Sequence, residues 1–344
     1  MKALVIHAPH DLRIEERPIA PPGPHEVAVR LAAGGICGSD LHYYHQGGFG
    51  AVRLKEPMIL GHEIAGVVEA VGTAVGSLKP GDRVAVSPSR PCGGCRYCRE
   101  AMFNHCLNMR FYGSAMPFPH VQGAFREVLV CDAVQAHRVA DHVGLGEAAC
   151  AEPLAVCLHA VNRAGGVAGR RVLVTGCGPI GALAALAARA GGAAEVVATD
   201  IAEAPIAMAR RLGLDRAINT AAEPDGLKDY EAEKGTFDVL FEASGNSQAL
   251  AGALVALRPG GIIVQVGTGG DFIIPISIVV AKELELRGTF RFHGEFADAV
   301  AMLGERRIDV RPLISATLPL DQAVEAFELA SDRARAMKVQ LAFG

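Results

Sequence analysis

The sequence predicts an α/β fold in two parts. One is a parallel sheet wound with helices; the other is a discontinuous antiparallel β-barrel built from both ends of the chain. Three observations predict this. Between about residues 170 and 290, apolar β-rich runs alternate with Ala/Leu-rich helical stretches, the texture of a parallel sheet covered on both faces. Before residue 145, many short strands are punctuated by Pro and Gly turns, and no long helical period is visible. After residue 293 the chain turns helical (295–303). Two further strand-like pieces follow, Pro312-Leu313-Ile314 and Lys338-Val339-Gln340-Leu341, which should return to the first part. The expected domains are residues 1–155, 156–292 and 293–344, the first and third forming one body.

In the first part, Leu4, Val5 and Ile6 begin an apolar run, and Val27-Ala28-Val29-Arg30-Leu31 alternates with the period of a half-buried strand. Pro18-Ile19-Ala20-Pro21-Pro22-Gly23-Pro24 between them cannot be helix. Residues 64–71 and 83–86 read as strands joined by the turn Lys79-Pro80-Gly81-Asp82, and residues 122–130 as a strand entering the barrel. Ala151-Glu152-Pro153-Leu154 opens a helical pattern, with proline at a tolerated place near the start.

In the second part, Arg171-Val172-Leu173-Val174-Thr175 is a strand. Gly176-Cys177-Gly178-Pro179-Ile180-Gly181 follows at once, then a helix to about Ala190 and the strand Glu195-Val196-Val197-Ala198-Thr199-Asp200. G-x-G-x-x-G is weak alone but specific in this strand–turn–helix–strand frame. Its glycines let backbone approach a pyrophosphate at a helix N-terminus, and an acid 19 residues past Gly181 can bind a ribose diol. The same Rossmann alternation continues through residues 237–243, 248–257, 261–267 and 285–289. Gly176, Gly178, Pro179, Ile180, Gly181 and Asp200 are the expected cofactor residues, with Val266, Gly267 and Thr268 at the end of a later strand. Asp200 favours NAD over NADP, because a carboxylate repels a 2′-phosphate.

Composition narrows the function. A net charge of −4 offers no basic surface for nucleic acid or an acidic membrane. No apolar tract approaches the roughly 20 residues of a membrane span, and the opening apolar run is too short for a secretion signal, so a cytoplasmic location is expected. The nine cysteines are unevenly spread: Cys92, Cys95, Cys98 and Cys106 form C-x2-C-x2-C-x7-C within a lobe at 90–110. Four thiolates close a tetrahedral zinc shell with no open position, so the lobe is expected to hold a structural zinc. Cys37, His62 and Glu63 offer sulfur, nitrogen and oxygen to a second, reactive zinc, provided the fold brings them together.

With these residues in view, the chain resembles the zinc-dependent medium-chain dehydrogenases, the superfamily of alcohol dehydrogenase. The resemblance spans essentially the whole length. It is carried by Gly35-Ile36-Cys37-Gly38-Ser39-Asp40, Gly61-His62-Glu63, the four-cysteine lobe, Ala151-Glu152-Pro153-Leu154 and the glycine fingerprint. It implies a GroES-like fold for the barrel, NAD as cofactor and two zinc ions per chain. The pieces Asp40-Leu41-His42-Tyr43-Tyr44 and Arg287-Gly288-Thr289-Phe290-Arg291-Phe292 resemble the polyol- and aldonate-oxidising branch. That implies a small polyol or sugar acid as substrate and a homo-oligomer, dimer or tetramer, to which the apolar run 272–276 could contribute an edge contact.

By the same resemblance Cys37, His62 and Glu63 hold the catalytic zinc, although Glu63 also reads as an acid supporting the site from behind. Where alcohol dehydrogenase has a second cysteine ligand this chain has Glu152, either a base beside the metal or an exchanging ligand. One thiolate and one carboxylate already neutralise Zn²⁺, which argues for a single bound carboxylate. The resemblance further implies that Asp40 orients His62, that Ser39 and His42 pass a proton outward, and that Tyr43 and Arg291 contact substrate. A guanidinium matches the carboxylate of a sugar acid.

Overall fold

The computed structural model of the chain describes residues 1–271 and 273–344. The chain divides into two compact units. One comprises Met1–Glu152, His293–Asp332 and Lys338–Gly344, the other Pro153–Phe292 and Arg333–Met337.

The first unit is framed by a sheet that has seven strands among the described residues. Its order is Ala136–Arg138, Arg83–Val86, Glu63–Val71, Glu26–Gly35, Lys338–Ala342 and Ile314–Pro319, with Val128–Asp132 also pairing on Glu26–Gly35. The spine is Glu26–Gly35, antiparallel to three partners. Its Val27, Val29 and Leu31 point into the core and are fully buried. Burial of such side chains is worth about 1.5–3 kcal/mol each. The strand Lys338–Ala342 pairs on this spine with Gln340 opposite Gly35, so distant parts of the chain share one sheet.

Two features here depart from the sequence reading. Gly38–Gln46 is a nine-residue helix, too short to give the long helical period sought before residue 145, and it was not placed from the sequence. Its start is fixed by Asp40, whose carboxylate accepts from Cys37 N at 3.0 Å, and it ends at Gly47, whose φ of +66° suits glycine. The barrel strand expected from residue 122 begins only at Val128. Residues 123–125 instead run against 59–61, with Gly123 N on Ile59 O and Phe125 N on Leu60 O, and a side chain at Gly123 would overlap the Leu60 backbone.

The second unit holds a six-stranded sheet, all parallel, among the described residues. Its order is Arg216–Asn219, Glu195–Asp200, Arg171–Thr175, Phe237–Glu242, Leu257–Gln265 and Glu285–Gly288. The inner strands are apolar runs because both faces are covered. Leu173, Val197, Phe237, Leu240 and Leu254 pack in one core cluster. The chain reverses its winding between Arg171–Thr175 and Phe237–Glu242, the switch point where ligands bind in open α/β sheets. In the apolar run 272–276, Phe272 lies outside the described residues. Ile276 starts the helix Ile276–Ala281 and not a strand, Pro275 serving as its N-cap. Among the described residues, no helix is long and apolar enough to cross a membrane.

Candidate functional site

Cys37, His62 and Glu63 converge: one donor atom from each lies within 4.8 Å of the others. Strand register is the reason. Gly35 pairs directly with Glu63 across the spine, and Cys37 follows two residues later as the N-cap of the helix Gly38–Gln46. Gly35 leaves the space that the Glu63 carboxylate occupies, since a Cβ there would collide with it. Gly61 sits at φ +90°, and a Cβ there would run into the Phe125 ring, so no side chain fits beside His62.

Asp40 ties these loops together. It is fully buried, with Oδ2 accepting from Cys37 N at 3.0 Å and Oδ1 from Gly61 N at 3.1 Å. The expected hydrogen bond to His62 is not formed: Asp40 Oδ1 stands 4.0 Å from Nδ1, beyond hydrogen-bond length. His62 Nδ1 is buried without a partner. The role of Asp40 in this geometry is to fix the backbone on either side of two donor residues.

Sequence reasoning missed Lys338. Its Nζ donates to both Glu63 oxygens at 2.8 Å and to Ile36 O at 3.1 Å. Burial works most strongly against the ammonium charge, but the Glu63 charge and hydrogen bond, with Cys37 and Cys150, together outweigh it and hold the Lys338 pKa above its usual value. A lysine inside the apolar stretch 338–342 was the available signal, because a buried charge demands a partner.

The set suits a divalent cation. Burial first, and then the Glu63 charge, push the Cys37 thiol up to about 11, with Lys338 and a hydrogen bond from Ser39 opposing. A zinc ion among these atoms would favour the thiolate and take one imidazole nitrogen as a ligand. Glu152, also buried, lies outside the three-residue cluster. Burial chiefly, with Glu63 and Cys37 adding to it against the pull of His62, raises its carboxyl to about 8.

Of the other expected site residues, Ser39 is half-buried beside the Cys37 sulfur. His42 is exposed, its ring 5.7 Å from that of Phe49. Tyr43 is buried, and its hydroxyl accepts from Ala115 N at 3.0 Å, holding the loop that follows Phe111. Arg291 belongs to the other unit, with φ +54° and its guanidinium 4.9 Å from the Phe290 ring centre.

The four lobe cysteines form a second cluster, with donor atoms also within 4.8 Å of one another. They are free thiols; Cys95 and Cys98 sulfurs stand 3.5 Å apart, far beyond a disulfide bond. Backbone N–H groups converge on the lobe: donation from Gly94 chiefly holds the Cys92 thiol down to about 6.

In the second unit, Gly176 turns at φ +84°, and a Cβ on Gly181 would overlap Gly176 O. Gly178 caps the helix Pro179–Ala190, whose first residue, proline, lacks an N–H that would be unpaired there anyway. Asp200 closes the turn, Oδ2 accepting from Cys177 N at 2.7 Å and Oδ1 from Ala202 N at 2.9 Å. Val266 N and Gly267 N both donate to Glu242 O, at 2.9 and 2.8 Å.

Comparison with known proteins matches both units. Residues 23–141 match the family described as alcohol dehydrogenase GroES-like domain, and residues 179–305 match zinc-binding dehydrogenase. The chain is 42% identical over 316 residues to the L-idonate 5-dehydrogenase (NAD(P)(+)) of Escherichia coli K12, covering 92% of this chain and 91% of that one. It is 37% identical over 330 residues to the sorbitol dehydrogenase of Homo sapiens, covering 95% and 91%. The crystal structure of L-idonate 5-dehydrogenase from Escherichia coli K-12 superposes with a TM-score of 0.94 at 40% identity, over 99% of this chain and 98% of that one.

Proposed function

The chain belongs to the zinc-binding medium-chain dehydrogenases, the alcohol dehydrogenase family, and from that premise we propose that it oxidises a secondary hydroxyl of a sugar acid or polyol with NAD⁺. L-idonate, giving 5-keto-D-gluconate reversibly, is the substrate we favour. The observation that carries the reading is the convergence of Cys37, His62 and Glu63. The 42% identity to an L-idonate 5-dehydrogenase supports the substrate class.

Bound at that cluster, zinc would supply a Lewis acid that acidifies a hydroxyl, while NAD⁺ accepts hydride. The chain's own residues do the rest. Cys37, His62 and Glu63 hold the ion, and Lys338 keeps the Glu63 carboxylate in place. Glu152, buried near the cluster, is the base that takes the hydroxyl proton at a carboxylate oxygen. Ser39 and exposed His42 form the outward route of a second relay. Arg291 and Tyr43 recognise substrate oxygens, Arg291 the carboxylate. In this reading residues 1–155 and 293–344 carry the metal chemistry and residues 156–292 bind NAD. Gly176, Gly178, Pro179, Ile180 and Gly181 cradle the pyrophosphate, and Asp200 binds the adenosine ribose. We also propose a cytoplasmic homo-oligomer, a dimer or tetramer.

The test is NAD⁺ reduction by L-idonate, D-gluconate, sorbitol, xylitol, L-threonine and simple alcohols. Highest kcat/KM with L-idonate is expected. A preference for sorbitol or xylitol supports the second reading, favoured by the 37% identity to sorbitol dehydrogenase; a preference for L-threonine points to a third. Turnover with no sugar acid or polyol overturns the proposed substrate class.

A further inference from the structure

Glu242 takes no part in the steps above, yet it is the most heavily engaged buried acid of the second unit. It ends the strand Phe237–Glu242 and has no solvent exposure. Its Oε1 accepts from Thr175 Oγ1 at 3.4 Å, from Ser244 N at 2.9 Å and from Ser244 Oγ. Its Oε2 accepts from Gly245 N at 3.1 Å and from Gln265 Nε2. All these donors are neutral. A buried carboxylate is unfavourable unless its acceptor sites are filled, and here they are filled from three strand ends at once.

Those strand ends carry the glycine turn at Gly176, the turn Ser244-Gly245 and the loop Val266-Gly267-Thr268. Gln265 Nε2 extends the network to Gly267 O at 2.8 Å. The loops pack backbone on backbone. A Cβ on Gly267 would stand 3.0 Å from Glu242 Oε2, and one on Gly269 would overlap Gly245 O.

Position in the sheet assigns these loops to one half of a dinucleotide. Asp200, on Glu195–Asp200, lies on one side of Arg171–Thr175, and Phe237–Glu242 and Leu257–Gln265 lie on the other. A dinucleotide divides about that point, one mononucleotide to each side. With the adenosine ribose on Asp200, the nicotinamide half falls to the loops that Glu242 holds.

We propose that Glu242 is a positioning residue for the nicotinamide half of the cofactor, latching residues 244–245 and 266–267 into the shape that receives it. The inference rests on the dehydrogenase reading above. Glu242 touches no reacting atom. A glutamine is a poor replacement: whichever way its amide turns, its NH₂ faces a backbone N–H, that of Ser244 or that of Gly245.

The experiment compares NAD⁺ with ADP-ribose, which lacks the nicotinamide, in calorimetric titrations of the zinc-loaded chain and Glu242→Gln. The variant should bind NAD⁺ at least tenfold more weakly and ADP-ribose within twofold of the unmodified chain, with KM for NAD⁺ raised more than kcat is lowered. Should Glu242→Gln not fold, Gln265→Met removes one donor and the link to Gly267 O, and should show the same selective loss. Equal loss for both ligands, or no loss for NAD⁺, in whichever variant folds overturns the inference and leaves the enzyme assignment standing. An unmodified chain that binds ADP-ribose and NAD⁺ equally also overturns it. A chain that binds neither ligand overturns the dehydrogenase reading and this inference together.

Discussion

Lys338 Nζ sits 2.8 Å from each carboxylate oxygen of Glu63, across 275 residues of sequence, with both side chains buried. The pair places a cation directly behind an acid that also faces Cys37 and His62. Glu63 can therefore approach a metal without leaving an uncompensated charge in the core when that metal is gone.

Lys338→Met should expose this double role. In the zinc-free protein it leaves Glu63 buried and unpaired, at a cost of about 3–5 kcal/mol. In the zinc-loaded protein the loss should be smaller, because the ion takes over the pairing. Urea unfolding of both forms measures the difference; equal losses would refute the shared use of Glu63.

Metal content separates the two clusters. Inductively coupled plasma analysis should find about two zinc ions per chain, falling to about one in Cys37→Ser or His62→Ala with the fold retained. Cys98→Ser should remove the other ion and lower the melting temperature while the remaining zinc still binds. A single zinc that survives Cys37→Ser unchanged would count against a metal at Cys37.

Gly35→Ala tests the strand register. The new Cβ lands on the Glu63 carboxylate, which must swing away from its neighbours. The variant should fold, since the sheet hydrogen bonds at Gly35 are unaffected, but should lose activity and one zinc together. Gly61→Ala should be far more damaging, because φ +90° and the Phe125 ring both oppose a side chain. Its soluble yield and circular dichroism should fall. Equal behaviour of the two variants would be unexpected.

Cofactor choice is read through Asp200. Asp200→Ala removes the charged acceptor proposed for the ribose diol, and with it the latch on Cys177 N and Ala202 N. Hydrogen bonds to a charged group are worth about 1.5–3 kcal/mol, so KM for NAD⁺ should rise roughly 10- to 100-fold. The ratio of kcat/KM for NAD⁺ over NADP⁺ should fall towards unity; a ratio already favouring NADP⁺ in the unmodified chain would reverse the assignment.

The second unit was legible because its signals are local. A β-rich run, three spaced glycines and Pro179 at a helix start specify Arg171–Thr175 and Pro179–Ala190 without help from elsewhere. Glu203–Arg211 and Arg216–Asn219 were not read, the first obscured by Pro205 and the second too short and mixed to register as a strand. The candidate metal-site donors were chosen by chemistry and resemblance. What joins them is not local: the Gly35–Glu63 register, the Asp40 latch on Gly61 and the Lys338 pair all depend on strands meeting from far apart. The helix Gly38–Gln46 escaped notice for a related reason, since its start is fixed by Asp40 acting back on Cys37 and not by a Ser, Thr or Asp ahead of it.

The separation of Glu63 and Lys338 also sets an order of events at the ribosome. At about 5–20 residues per second, the 275 residues between them take roughly 14–55 s to synthesise. For that interval the nascent barrel lacks its counter-ion, and its central strand has an open edge where Lys338–Ala342 will later dock. Completion of the candidate metal pocket thus waits on the strand Lys338–Ala342, the bolt that shuts it.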